Sequence, residues 1–220
     1  MAYLHLKVNR YSKTINLLKM QRFSILVVAL ILFASFQITA QNKPAALIKG
    51  ESASVAENLV KVETFYPNLL GVSYEMKIRK EFAIYSMMGL LGHYGGGSIS
   101  QATYGVSSYY VLTPQVMVQP RFYHNLSKRA ASDKNTAYNS ANYVGFAARF
   151  YDEGLFLTNA ENYPKGSAIL DIMLSYGLQR NFFKRLNFDM AIQPGIEFTS
   201  AGAGAFIGIN LQLGIIVFSN

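Results

Sequence analysis

The residues of this chain that could do chemistry are charged side chains set at alternate positions of largely apolar segments. Acids and bases that share one face could form buried ion pairs, line a narrow ion path or supply two carboxylates for acid–base catalysis. Nothing in the sequence places two acids opposite each other, so a network of paired charges in a filled interior is the expected arrangement. The candidates are Lys61, Glu63, Glu75, Lys77, Arg121, Arg149, Asp171, Asp189 and Glu197.

Other chemical signals are weak. The chain has no cysteine, and beyond residue 40 its only histidines are His93 and His124, so we expect no disulfide and no metal site. His124 and Ser127 are the nearest candidates for a catalytic pair, but their spacing matches no catalytic motif. The glycines at 95–97 lack the Lys-Ser/Thr of a phosphate loop. We therefore expect neither an enzyme nor a bound cofactor.

The N-terminus has the pattern of a secretory signal peptide. Lys19 and Arg22 precede an apolar run over 24–36, and small residues at 38–40 offer a cleavage site after Ala40. A membrane anchor is the alternative, but the run is shorter than the roughly 20 residues that a spanning helix needs. Residues 1–40 are thus predicted to direct export, with Met20 as an alternative start, and 41–57 to form a short periplasmic lead-in.

The net charge of +8 does not indicate nucleic-acid binding. Five of the positive charges lie in the first forty residues, which contain no acid. The remaining excess is too small and too scattered for a phosphate-binding face.

A two-residue rhythm dominates the rest of the chain. Over 186–199, Leu, Phe, Met, Ile and Pro at even positions alternate with Asn, Asp, Gln, Glu and small residues. Such a segment is a strand with one apolar and one polar face, and fourteen residues exceed the usual 5–6 of soluble strands. Similar segments predict eight strands, at about 58–66, 69–78, 82–94, 109–124, 142–152, 168–182, 186–199 and 205–218.

Aromatic residues gather near the strand ends, as in the two interfacial girdles of a membrane barrel. Three prolines within strands are unfavourable for pairing, and we expect bulges to accommodate them. One predicted girdle comprises Tyr66, Tyr110, Phe150 and Phe198, and the other Phe82, Phe122, Tyr143, Phe182 and Phe188. The prolines are Pro114, Pro120 and Pro194.

Residues 58–218 resemble the small eight-stranded outer-membrane β-barrels of Gram-negative bacteria, the OmpA-like and OmpX-like group. The resemblance rests on the alternating strands and on the stretch 119–129, Gln-Pro-Arg-Phe-Tyr-His-Asn-Leu-Ser-Lys-Arg, which runs into a basic, Asn/Ser-rich turn. It implies an all-β antiparallel up-and-down transmembrane barrel, with outer-membrane lipid and the barrel-assembly machinery as partners. That machinery reads a terminal aromatic residue, yet here Phe218 lies on the polar-face parity and is followed by two more residues.

The sequence therefore predicts a non-enzymatic outer-membrane barrel with a packed polar interior and a role in envelope structure or surface interaction. With a periplasmic N-terminus, the loops near 67–68, 95–107, 153–166 and 200–204 face outward. Two alternatives stay open: a narrow channel for ions or small solutes, and a soluble secreted barrel that binds an apolar ligand. The few charges on the polar face favour lipid outside. The sequence identifies no surface ligand.

Overall fold

The computed structural model describes residues 53–153, 157–160, 163 and 166–220. The predicted signal peptide and most of the predicted lead-in lie outside these residues. Among the helices that the structure describes, none is long and apolar enough to cross a membrane.

The fold is all-β, built from one antiparallel sheet that closes in a ring. Sequential strands pair around the ring, β9 pairs with β1, and the two-residue β6 pairs only with β4. The strands are β1 (Asn58–Tyr66), β2 (Asn68–Arg79), β3 (Phe82–Gly96), β4 (Ser108–Phe122), β5 (Asn142–Asp152), β6 (Leu157–Thr158), β7 (Ala168–Phe182), β8 (Leu186–Thr199) and β9 (Gly202–Ser219).

All eight predicted segments are strands, because their period-two pattern extends over nearly their full lengths. The connections hold structure that the sequence pattern did not predict. The glycine-rich loop contains helix α1 (Ser98–Tyr104), and the basic connection contains α2 (Leu126–Ala131) and a 3₁₀ turn (Ala137–Asn139). These elements are too short to carry a helical period, so the sequence pattern predicts loops at these positions.

The two faces of the sheet are inverted relative to a soluble protein. In β1, Lys61 and Glu63 are fully buried inside the ring, whereas Val62 between them points outward and is exposed. The same alternation holds in β8, where Asp189 is buried and Ile192 is 56% exposed. Charge lies inside and apolar surface lies outside.

The prolines interrupt the pairing ladder without inserting a residue. Pro120 keeps its partner Ile84 on β3, but the pairs between β4 and β5 stop at Val118 and resume in the same register at Arg121. Pro194 likewise keeps its β9 partner, while the pairs between β7 and β8 skip it. Pro114 lies beyond the last pair between β4 and β5. Since proline has no N–H to donate, a one-sided gap suffices, and the expectation of bulges at these positions is wrong.

A bulge does occur where the ring closes on its last strand. The register between β1 and β9 shifts between Val60 and Lys61, so that Val60 is opposite Phe218 while Lys61 is opposite Ile216. Cross-strand partners share a face, and Val60 belongs to the outward-facing set. The shift therefore returns Phe218 to the outer face, which simple alternation from Ile216 would have denied it.

The lower end of the ring, where β1 begins, is sealed by apolar side chains. Val55 precedes β1 and Leu126 belongs to α2, and both are buried against Tyr123 and Tyr143. The backbone N–H of Ala56 donates to Asn139 Oδ1 at 2.7 Å, which ties the segment before β1 to the 3₁₀ turn. The interior is therefore closed at this end by the lead-in and by the connection between β4 and β5.

Candidate functional site: the polar interior

The guanidinium of Arg121 lies at the centre of the interior and is fully buried. Its Nη1 donates to Asp189 Oδ2 at 2.7 Å and to Gln179 Oε1 at 3.0 Å, and its Nε donates to Gln119 Oε1 at 2.8 Å. Its Cζ lies 3.8 Å from the ring centroid of Tyr85 and 4.2 Å from that of Tyr143. Carboxylate, amide oxygens and two aromatic rings replace much of the water that this charge loses, while Nη2 is buried without a hydrogen-bond partner.

A second cation, Lys61, occupies the other side of the interior. Its Nζ lies 2.9 Å from Glu63 Oε1 and 4.0 Å from Glu75 Oε2. A tyrosine hydroxyl donates a hydrogen bond to each of these carboxylates: Tyr85 donates to Glu63 Oε2 at 2.6 Å, and Tyr123 donates to Glu75. Carboxylates and tyrosines therefore surround both cations.

The two clusters join into one network that spans the ring. Tyr143 donates to Asp189 Oδ1 at 2.7 Å, and Lys61 donates to Asn187 at 3.4 Å. Tyr85 also contacts Gln212 of β9 at 3.3 Å. Each of the eight longer strands contributes at least one side chain, so the network holds opposite walls of the ring together.

Above the network lies an apolar layer, followed by a separate charged row near the upper end. Met87, Met117 and Met173 pack with Tyr85 at mid-height. Above them, Arg149 donates to Asp171 Oδ2 from Nε at 2.8 Å and from Nη2 at 2.5 Å.

Asp171 and Glu197 form the acid pair that the sequence could not reveal. They are direct cross-strand partners on β7 and β8, on the face that also carries Arg149. Tyr151 donates to Glu197 Oε2 at 3.2 Å, while the buried Oδ1 of Asp171 has no hydrogen-bond partner. Both Arg149 donors go to the same oxygen, Asp171 Oδ2, so the row has spare acceptor capacity. With two carboxylates and one guanidinium, the row also carries one excess negative charge.

Lys77 is the one sequence-selected charge that stands apart from these interior groups. It is a quarter exposed at the lower mouth and pairs with Glu57 Oε1 at 2.6 Å. The remaining eight point into the ring, five of them in the lower network and three in the upper row. Lys61, Glu63, Glu75, Arg121 and Asp189 form the first group, and Arg149, Asp171 and Glu197 the second.

The prediction that Tyr143 belongs to an interfacial girdle is wrong. Its side chain is fully buried inside the ring, in the network with Arg121 and Asp189. Sequence reasoning also missed Tyr85 and Tyr123 as network members. Parity was the available signal: Tyr123 and Tyr143 share the odd positions of Arg121 and Arg149, whereas β3 is apolar on both faces and hid Tyr85.

His124 and Ser127 have different partners. Ser127 Oγ donates to Glu81 Oε1 at 2.5 Å, and the His124 ring stacks on Tyr176 with a centroid separation of 6.0 Å. Within the described ranges, no group of three His, Cys, Asp or Glu side chains could hold a metal ion.

Comparison with protein-family models, with curated proteins and with solved structures finds no match to this chain. The functional argument therefore rests on the geometry of the ring and its interior.

Replacing Arg121 with Met should lower the free energy of unfolding by about 3–5 kcal/mol, because it leaves Asp189 buried without its cation. Lys77→Met removes the same charge from an ion pair at the exposed mouth and should cost less than about 1 kcal/mol. Urea titration of the refolded chain measures both values. Equal losses for the two variants would contradict the network's central place.

Gly177 makes room for the Tyr143 ring. A Cβ at this position would lie 2.5 Å from Tyr143 Cζ and 2.8 Å from the Met190 carbonyl oxygen. Gly177→Ala should therefore cost about 1–3 kcal/mol through overpacking. At Gly204 an added Cβ meets no atom within 4 Å, so Gly204→Ala should be neutral or stabilising by less than about 1 kcal/mol. The same titration compares them, and an unchanged stability of Gly177→Ala would refute the packing argument.

Proposed function

We propose that the closed sheet is an eight-stranded barrel that spans the outer membrane of a Gram-negative bacterium, after export directed by residues 1–40. The observation that carries the proposal is the inverted burial pattern. Outward-facing Val62, Leu174, Ile192 and Ile215 are between 38% and 61% exposed, whereas Lys61, Arg121 and Asp189 are fully buried. Lipid is the solvent that an apolar outer face requires.

Strand length and ring closure support the same proposal. A spanning strand needs roughly 9–11 residues when tilted, and β8 provides 14. Backbone polar groups in hydrocarbon must be paired within the protein, and pairing of β1 with both β2 and β9 leaves no open edge between the first and last strands. Outer-membrane lipid is the expected surrounding, and the barrel-assembly machinery the expected partner in biogenesis.

The role we propose is non-enzymatic, in envelope structure or in surface interaction through the loops of the upper end. Exposed apolar side chains lie beside these loops, including Tyr94 near the end of β3 at 81% and Leu157 in β6 at 67% exposure. The sealed lower end and the cross-ring network support a role in which a rigid barrel holds its outer loops in place.

A narrow ion channel is the second candidate, favoured by the excess negative charge of the Asp171 and Glu197 row. The methionine layer and the lower seal of Val55 and Leu126 oppose it, because both block a continuous aqueous path. The soluble barrel with an apolar ligand is less well supported still. Such a barrel would need an apolar cavity, and the interior here holds the charged network.

Arginine on the outer face should destabilise the barrel in a depth-dependent way. Ile192→Arg, at mid-strand, should cost about 2–4 kcal/mol, and Leu186→Arg, at the lower end of the same strand and face, about 0–1 kcal/mol. Urea titration in phosphatidylcholine vesicles gives the two costs, with the faster gel mobility of the unboiled protein as the test of folding. In a soluble barrel both substitutions would be near neutral. That result, together with wild-type protein in the soluble cell fraction, would contradict the proposal.

Planar-bilayer recording of the reconstituted wild-type chain should show no steady conductance, because the seal and the methionine layer fill the interior. Glu197→Gln provides the control for the alternative. Stepwise, cation-selective currents in the wild type that lose their selectivity in Glu197→Gln would establish the channel instead.

A further inference from the structure

Two arginines meet without a counterion at the lower end of the outer face. Arg129 belongs to α2, and Arg180 lies near the end of β7. Arg129 Nη2 donates to the Asn135 carbonyl oxygen at 3.0 Å, and Asn135 Nδ2 donates to the carbonyl oxygen of Asn181, the residue next to Arg180, at 3.1 Å. The Asn135 segment thus links the Arg129 guanidinium to the backbone next to Arg180, and the two positive charges are close enough to repel each other.

The hydrogen bonds of both guanidinium groups go to neutral oxygens. Arg180 donates to the Gln179 carbonyl oxygen at 2.7 Å and to Asn142 Oδ1 at 2.6 Å. Arg129 Nε is buried and has no hydrogen-bond partner. In the part of the chain that the structure describes, no carboxylate lies within ion-pair distance of either arginine. Two cations held together in this way are a site for an anion that accepts hydrogen bonds.

The surroundings of the patch are those of a membrane interface. Arg180 follows Tyr176 and Leu178 on the outward face of β7, and the ring of His124 stacks on Tyr176, which is 58% exposed. Lys128, Lys184 and Arg185 are exposed nearby at the lower end. An anion bound here lies directly beneath an apolar wall, which fits the headgroup phosphate of a lipid whose acyl chains run along that wall.

We infer that Arg129 and Arg180 form a site for the headgroup phosphate of an anionic phospholipid in the leaflet that surrounds the lower end. The inference rests on the proposed membrane location. Asp133 is the acid nearest in sequence to α2, and Glu81 lies beside α2 in space. Glu81 accepts the Ser127 hydroxyl, and neither acid forms an ion pair with the two arginines. The anion must therefore come from outside the chain.

The test measures lipid selectivity around the reconstituted full-length chain. Vesicles of phosphatidylcholine contain a trace of spin-labelled phosphatidylglycerol or spin-labelled phosphatidylcholine, and electron paramagnetic resonance gives the motionally restricted fraction of each. We expect the wild type to prefer phosphatidylglycerol, and Arg129→Gln/Arg180→Gln to lose about fivefold of that preference for each charge removed. Lys184→Gln/Arg185→Gln removes the same charge at the same end and should retain most of it.

The outcomes separate this inference from the proposed function. Equal losses in the two double variants would mean that the lipid is held by diffuse electrostatic attraction, and this would overturn the site. Displacement of the lipid by millimolar inorganic phosphate would also overturn it. A folded, heat-modifiable wild type without lipid preference overturns the site and leaves the barrel standing. A wild type that does not enter vesicles overturns both. If the double variant does not fold, the single Arg180→Gln variant carries the comparison.

Discussion

The burial of Arg121 is the constraint on which the rest of this structure depends. A guanidinium without water is stable only if carboxylate, amide oxygens and aromatic faces surround it. Asp189, Gln119 and Gln179 provide the oxygens, and the ring centroids of Tyr85 and Tyr143 lie 3.8 and 4.2 Å from the Arg121 Cζ. These groups come from β3, β4, β5, β7 and β8, which are neighbours in the sheet, so the charge is satisfied only when this part of the sheet curls around it. The remaining strands complete the ring through the pairs of β9 with β8 and β1.

The apolar outer face follows from the same constraint. Side chains alternate along every strand, so a polar interior assigns the apolar residues to the outside. A ring of this size leaves room for side chains only, and its interior is filled from the lower seal through the network to the methionine layer. The hydrophobic effect in water would drive the opposite arrangement. The polar interior and the apolar outer face therefore both follow from the same alternation of side chains along each strand.

The sequence predicted the strands and the orientation of their faces because both follow from a local two-residue period. What depends on the pairing of distant strands could not be read from it. The adjacency of Asp171 and Glu197 requires the register between β7 and β8, and the return of Phe218 to the outer face requires the shift opposite Val60. For Tyr143, two sequence signals point to different places. Its parity indicates the interior, whereas its position at a strand end indicates a girdle, and the room that Gly177 leaves for its ring depends on the pairing of β5 with β7.

The two ends of the ring are built for different surroundings. At the lower end, Val55 and Leu126 close the interior, and unpaired Arg129 and Arg180 lie on the outside. At the upper end, Asp171 and Glu197 leave acceptor capacity inside, and Tyr94 is exposed in the region of the loops. Positive charge on the outer rim suits contact with anionic headgroups, whereas an interior row with one excess negative charge can act only on what reaches the upper mouth. The lower network also carries one excess negative charge, because three carboxylates (Glu63, Glu75, Asp189) face two cations (Lys61, Arg121), but the lower seal encloses it. Any ligand of the interior would therefore be a cation that enters from the upper end.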